Sequence, residues 1–161
     1  MPGMAIEPTA VNRGGRAPGE GVPLPPVLVA EDDSQSRAVF LRLLAKHGIA
    51  NPVEFAEDGQ EAIDYLTAVA ARSEAVPVLI VLDLNMPRRS GLDVLRWLRE
   101  RHVFSRIPVV MLTGSAELSD VTESHELGAA SYLVKPVGFG ALSDVIRRLD
   151  LRWGLLPAER A

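Results

Sequence analysis

Two apolar runs that break off in carboxylates constrain this chain more than any other feature. Val27-Leu28-Val29-Ala30 runs straight into Glu31-Asp32-Asp33, and Val78-Leu79-Ile80-Val81-Leu82 stops at Asp83. Neither run alternates with polar residues, so a strand built from it has no face to offer water and must be covered on both sides. The carboxylates raise a second problem. Two of them about 4 Å apart repel by ~1 kcal/mol in water and ~4 kcal/mol at the effective dielectric near a protein surface, so gathering three invites a compensating cation. Oxygen ligands of this kind suit a hard ion, and Mg2+ is the expected one.

From Val27 onward, short β-branched runs alternate with longer stretches of helical period, the pattern of a parallel sheet covered by helices. Strands are expected over 27–31, 52–56, 78–83, 107–112 and 131–134. Ser34 can cap a helix whose apolar positions include Val39, Phe40, Leu43 and Leu44, with Asp33 placed to share that role and Gly48 to end it. A second helix, Gln60 to Ala71, has Ile63, Leu66 and Ala70 at helical spacing, and a third after Gly91 is lined by Leu92, Leu95 and Leu98. A fourth, over roughly 117–127, ends at Gly128, and a fifth carries the stripe Phe139, Leu142, Ile146 and Leu149. The expected fold is α/β, a doubly wound five-stranded parallel sheet with five helices.

The flanks differ in kind. Residues 1–26 hold six prolines and five glycines with few large apolar side chains, so a disordered leader is expected there. The folded domain is expected over 27–150, followed by an apolar tail, 151–161, with Leu151, Trp153, Leu155 and Leu156. At 161 residues and 47% hydrophobic composition there is enough material for one domain with a real core. Zero cysteines remove disulfides, thiolate metal sites and cysteine nucleophiles together. A net charge of -4 gives no general reason to expect nucleic acid or an anionic membrane as partner. With no long apolar span and no secretory signal core, the cytoplasm is the expected compartment.

In a doubly wound sheet the functional crevice lies at the carboxyl ends of the strands. Glu31, Asp32 and Asp33 follow the first expected strand, Asp83 ends the third, Thr113 follows the fourth and Lys135 the fifth. Taken singly, each has an ordinary reading: carboxylates after a strand are often helix caps, Thr113 a loop hydroxyl, Lys135 a solvated charge. Asp83 resists that reading, because a carboxylate directly after five apolar residues needs a partner. Together, a carboxylate acceptor, a metal pocket, a hydroxyl and an ammonium are the parts needed to move a phosphoryl group onto an aspartate.

Those residues carry a family resemblance. The acidic pair Glu31-Asp32, the segment Asp83-Leu84-Asn85-Met86-Pro87-Arg88-Arg89-Ser90-Gly91, Thr113, and Tyr132 with Lys135-Pro136 resemble the receiver domain of bacterial two-component response regulators, a flavodoxin-like (CheY-like) sandwich. The resemblance spans Val27 to about Leu149. It implies that Asp83 is the phosphoacceptor, assisted by Thr113 and Lys135. It also implies that Mg2+ is held by Asp32 directly, by Glu31 mainly through water, by Asp83, and by the backbone carbonyl of Asn85. Thr113 and Tyr132 are implied as a switch pair, Pro136 as a cis proline, and a sensor histidine kinase or phosphotransfer protein as partner. The runs Leu127-Gly128-Ala129, Tyr132 to Val137 and Trp153-Gly154-Leu155-Leu156-Pro157, with the long stretch between Asp32 and Asp83, are similar to the stand-alone regulators paired with phytochrome-type sensor kinases. The implied output is then protein contact or phosphate relay.

Other readings fit the residues less well. An aspartyl-phosphate phosphatase of the haloacid-dehalogenase type needs an acid-base aspartate two residues after the nucleophile, where this chain has Asn85. A flavin carrier on the same sheet needs a phosphate-cradling first loop, which Glu31, Asp32 and Asp33 would repel. A receiver-like interaction module that no longer takes phosphate would have no use for the intact acidic pair, Asp83, Thr113 and Lys135. Arg88, Arg89, Arg96, Arg99, Arg101 and Arg106 cluster around the third helix and read as a solvated face rather than a nucleic-acid surface. The amphipathic fifth helix and the tail either pack on their own domain or form a surface for a homodimer or for kinase docking.

Overall fold

The structure, a computed structural model, describes residues 24–114 and 118–149. Strands and helices alternate along it as β1 (Val27–Ala30), α1 (Ser34–Lys46), β2 (Val53–Ala56), α2 (Gly59–Ala71), β3 (Leu79–Asp83), α3 (Gly91–Arg99), β4 (Val109–Thr113), α4 (Leu118–Glu126), β5 (Ser131–Val134) and α5 (Phe139–Arg148). The strands form one sheet in the order β2-β1-β3-β4-β5 with every neighbouring pair parallel. This is the doubly wound α/β sandwich that the residue pattern leads one to expect. The leader up to residue 23, residues 115–117 and the tail from 150 onward lie outside the described residues. Pro25 and Pro26, at the close of the leader, are tied to the sheet: the Pro25 carbonyl accepts from Asn51 Nδ2 at 2.9 Å and the Pro26 carbonyl from Val78 N at 2.9 Å.

The apolar strands divide their side chains between two cores. On one face Leu28, Ala30, Ile80, Leu82, Val109 and Met111 pack with Ile63 and Leu66 of α2 and Leu95 and Leu98 of α3. On the other, Val27, Val29, Val81, Val110 and Leu112 meet Phe40 and Leu44 of α1 and Leu142 and Val145 of α5. Successive strand residues point to opposite faces, so an uninterrupted apolar run is what a sheet covered on both sides requires. Each fully buried aliphatic side chain contributes roughly 1.5–3 kcal/mol.

Local chemistry sets where the helices begin and stop. Asp33 caps α1, as its place before Ser34 allows: its Oδ2 accepts from Ser36 N and Ser36 Oγ, both at 2.9 Å, and Ser34 is the first helical residue. Asp58 caps α2 through Glu61 N at 2.8 Å, and Ser90 with Asp93 forms a reciprocal capping box on α3. Gly48 and Gly128 end α1 and α4 at φ 74° and 86°, a backbone that side-chain-bearing residues rarely adopt.

Glu31, Pro52 and Val78 lie just outside the strands expected to include them, and other details also depart from the residue pattern. In α2 the inward stripe runs through Val69 and leaves Ala70 exposed, because Ala62, Ile63 and Leu66 already set the buried face and Val69 continues it at i+3. In α5, Leu142 and Val145 are buried, while Phe139 is half exposed and stacks on His47 with ring centroids 4.0 Å apart. Strand β4 starts at Val109, since Pro108 has no N–H to offer a ladder. It also runs one residue further than expected, so Thr113 is its last residue and accepts from Lys135 N at 2.8 Å.

Most of the arginine cluster is engaged inside the fold. Arg96 pairs with Asp93 of its own helix and Glu123 of α4. The half-buried Arg99 guanidinium donates to the carbonyls of Leu127 and Gly128 beyond α4, each at 3.0 Å, and to Ser105 O at 3.0 Å. Arg101 lies over the Trp97 ring, 4.2 Å from its centroid. Arg99→Ala leaves those carbonyls without their cationic donor and is expected to lower stability by about 1–3 kcal/mol in urea unfolding at unchanged m. Arg99→Lys recovers little, because an ammonium cannot span the same carbonyls.

The caps also respond to acid. The Asp58 carboxyl is held below the ordinary aspartate value, first by its bond from Arg88 and then by its cap bond from Glu61 N. A depressed folded-state pKa gives stability that is present above the unfolded value and lost as pH falls through the folded one. Asp58→Asn keeps a cap acceptor but does not titrate, so its stability is expected to fall less steeply on the acid side than that of the wild type.

Candidate functional site

Parallel register brings the suspected residues to one edge. Ala30 is the partner of Leu82 and Asp83 of Leu112, so the residues that follow β1 emerge beside the end of β3 at the centre of the sheet. Thr113 is the partner of Val134, which puts Lys135 just past the end of β4. From there the lysine side chain reaches across two strands. Its Nζ donates to Glu31 Oε1 at 2.9 Å and to Asp83 Oδ2 at 3.0 Å.

The electrostatics follow from burial. The Glu31 and Asp83 side chains are 1% and 4% exposed and the Lys135 side chain 24%, so two carboxylates share one ammonium in a poorly hydrated pocket. Burial pushes the Glu31 carboxyl above its usual value, the bond from Lys135 opposes the shift, and the neighbouring Asp83 adds to it. Burial also works against the charge on Lys135, but its bonds to Glu31 and Asp83 prevail and hold it above the ordinary lysine value. Lys135 therefore stays charged near neutrality and keeps both carboxylates bridged.

Asp32 completes an acidic cluster. It is exposed, yet one of its oxygens lies with oxygens of Glu31 and Asp83 in a group all within 4.8 Å of one another. Three carboxylates against one ammonium leave a formal charge of -2. An oxygen-only donor set with that charge fits a hard divalent cation such as Mg2+ or Mn2+.

The remaining expected residues fall around this cluster in different ways. Asn85 is exposed, with its backbone N–H donating to Asp83 Oδ1 at 3.1 Å. Thr113 is buried at the end of β4, next to β3, the strand that Asp83 ends. Tyr132 is paired with Met111 in the ladder, is 44% exposed, and lines a cavity of about 550 Å³ together with Val121, His125, Ala129 and Arg148. Gly114 borders open space, and the Lys135-Pro136 peptide is cis.

Three supporting residues escaped the reading of the sequence. Arg37 Nη1 donates to the Glu31 carbonyl at 2.7 Å and fixes the backbone between β1 and α1. Its position one helical turn after the Asp33 cap was the available signal. Arg88 and Asp58 form a two-pronged pair between loops 30 residues apart, and nothing local foretells it.

Comparison with known proteins supports one family throughout. Residues 27–147 match the response regulator receiver domain. The chain is similar to the bacteriophytochrome response regulator RtBRR, with 40% identity, a TM-score of 0.75, and coverage of 84% of this chain and 83% of that one. It is also similar to the Mn2+-bound form of response regulator Rcp1, at 30% identity and a TM-score of 0.66 over 83% of this chain and 99% of that one. Chemotaxis protein CheY-3 of Vibrio cholerae serotype O1 is 29% identical over 76% of this chain and 89% of its own length. With the sheet order, the acidic cluster and the bridging lysine already established, these matches make the chain a member of the response regulator receiver family.

Proposed function

We propose that the chain accepts a phosphoryl group on Asp83 from a phosphohistidine, in a two-component relay whose kinase is of the bacteriophytochrome type. The observation that carries this reading is the single ammonium of Lys135 bonded to both Glu31 and Asp83, with Asp32 close by. The likeness to RtBRR supports the choice of partner.

Glu31, Asp32 and Asp83, with the Asn85 backbone carbonyl, would hold Mg2+, and the ion supplies neutralisation of the phosphoryl charge when bound. An Asp83 carboxylate oxygen attacks phosphorus, the bond from phosphorus to the histidine nitrogen breaks, and its electron pair stays with the imidazole. Lys135 is already bonded to Asp83 Oδ2, so its ammonium needs little movement to meet a phosphoryl oxygen. Thr113 offers its hydroxyl to another oxygen. In the proposed switch, Thr113 is drawn toward the phosphoryl group and the Tyr132 ring turns inward from its exposed place beside the cavity.

Incubation with acetyl phosphate and Mg2+, read by intact mass, tests the proposal. The wild type is expected to gain one phosphate and Asp83→Asn none. Absence of uptake by the wild type would favour an interaction module that works without phosphate. Lys135→Ala is expected to slow uptake by roughly 10²-fold, because it removes a preorganised cation aimed at developing charge. Thr113→Ala is expected to take phosphate but to lose the change in Tyr132 environment, measured by tyrosine NMR before and after phosphorylation.

A further inference from the structure

The loop between β3 and α3 carries Asn85 and turns on a strained residue. Arg89 N donates to the Pro87 carbonyl at 2.7 Å, closing a three-residue turn with Arg88 at its centre, and Arg88 has φ 67°. A three-residue turn with a positive central φ is the rare, strained form, and a long side chain gains nothing there that its own backbone could offer. Support has to come from outside the loop.

It comes from the start of α2. Arg88 Nε donates to Asp58 Oδ2 at 2.9 Å and its Nη2 to Asp58 Oδ1 at 3.1 Å. Arg89 Nε donates to Gln60 Oε1 at 3.0 Å. Between those two bonds Gly59 lies so close to the loop that an added Cβ would sit 2.2 Å from the Arg89 carbonyl oxygen. Three consecutive residues of α2 and its cap therefore grip two consecutive residues of the loop.

Exposed ion pairs contribute little as a rule, but this one is unlike most. It is two-pronged, and the Asp58 side chain is only 14% exposed and already fixed by its cap bond, so little freedom is lost in making it. The near end of the loop belongs to the acidic site. Asn85 N is bonded to Asp83 Oδ1, and Gly91 N closes the loop onto the Leu84 carbonyl at 3.1 Å.

We propose that Arg88 is a positioning residue for the acceptor site: its fork onto Asp58 holds the loop from 84 to 90 in the strained turn that keeps Asn85 against Asp83. Arg88 acts through the loop and not on the phosphoryl group. The inference rests on Asp83 being the acceptor and adds a residue to that site.

The test uses the full chain with Arg88→Ala, Arg88→Asn, Arg88→Lys and Asp58→Asn. Mg2+ affinity of the unphosphorylated protein is measured by calorimetry, and the initial rate of phosphate uptake from acetyl phosphate is measured well below every thermal midpoint. Arg88→Ala and Asp58→Asn are expected to weaken Mg2+ binding and slow uptake by about fivefold, well short of the ~10²-fold that a 1 Å misplacement of a reacting group can cost. Arg88→Asn is expected to recover most of both, since asparagine tolerates positive φ and keeps the turn without the fork. Arg88→Lys, which keeps the charge and loses the fork, is expected to behave like alanine. Unchanged Mg2+ affinity and rate in Arg88→Ala, with only a lower melting point, would overturn the proposal. Recovery by lysine but not asparagine would overturn it as well, because charge alone would then be at work. A wild type that takes no phosphate would instead sink the acceptor reading, while its Mg2+ titration beside Arg88→Ala would still judge the role of Arg88.

Discussion

Glu31 follows one central strand of the sheet and Asp83 ends its neighbour, and one ammonium makes their joint burial tolerable. A carboxylate removed from water without a partner is costly, and two of them side by side are more so. Lys135 meets both at hydrogen-bond distance, but it arrives from the edge strand β5 and has to pass over the end of β4. That reach requires the strand ends to be level, which the parallel register provides, and the strands to be rigid, which cover on both faces provides. Replacing such a buried charged group with well-packed apolar residues is often neutral or stabilising, so the needs of the fold do not explain its presence. An acidic pocket left two charges short of neutrality is one that could hold a cation.

The arginines around α3 show a second principle at work. As a sequence they look like one basic patch. In the fold they serve as struts: Arg88 and Arg89 reach α2, while Arg96 and Arg99 reach α4 and the turn after it. A guanidinium with several donors in one plane can tie two elements together through carbonyls or a carboxylate where an ammonium could meet only one point. Helix α3, which follows the strand that Asp83 ends, is thereby linked to its neighbours on both sides.

Much of the architecture was legible in advance because its cause is local. Apolar runs without polar alternation announce strands covered on both faces, and carboxylates, serines and glycines mark most helix ends. The errors have physical reasons. Ala70 and Val69 are both apolar and adjacent, and only packing against the sheet decides which one turns inward. Phe139 fits an amphipathic stripe by spacing, but it sits in the first turn of α5, where the ring finds His47 at the surface instead of the core.

What the sequence determined by itself is the chemical inventory and its placement at strand ends: the acidic run after β1, Asp83 after five apolar residues, Thr113 and Lys135 closing the last two strands. Those follow from hydrophobic patterning, which acts over a few residues and can be read without knowing where the chain goes next. Only the tertiary structure decided that one lysine bridges two particular carboxylates, that Asp32 joins them, and that Arg88 is held in a left-handed turn by Asp58. Such contacts join residues 30 to 104 positions apart. Strand order and register bring them together, and no local propensity encodes either.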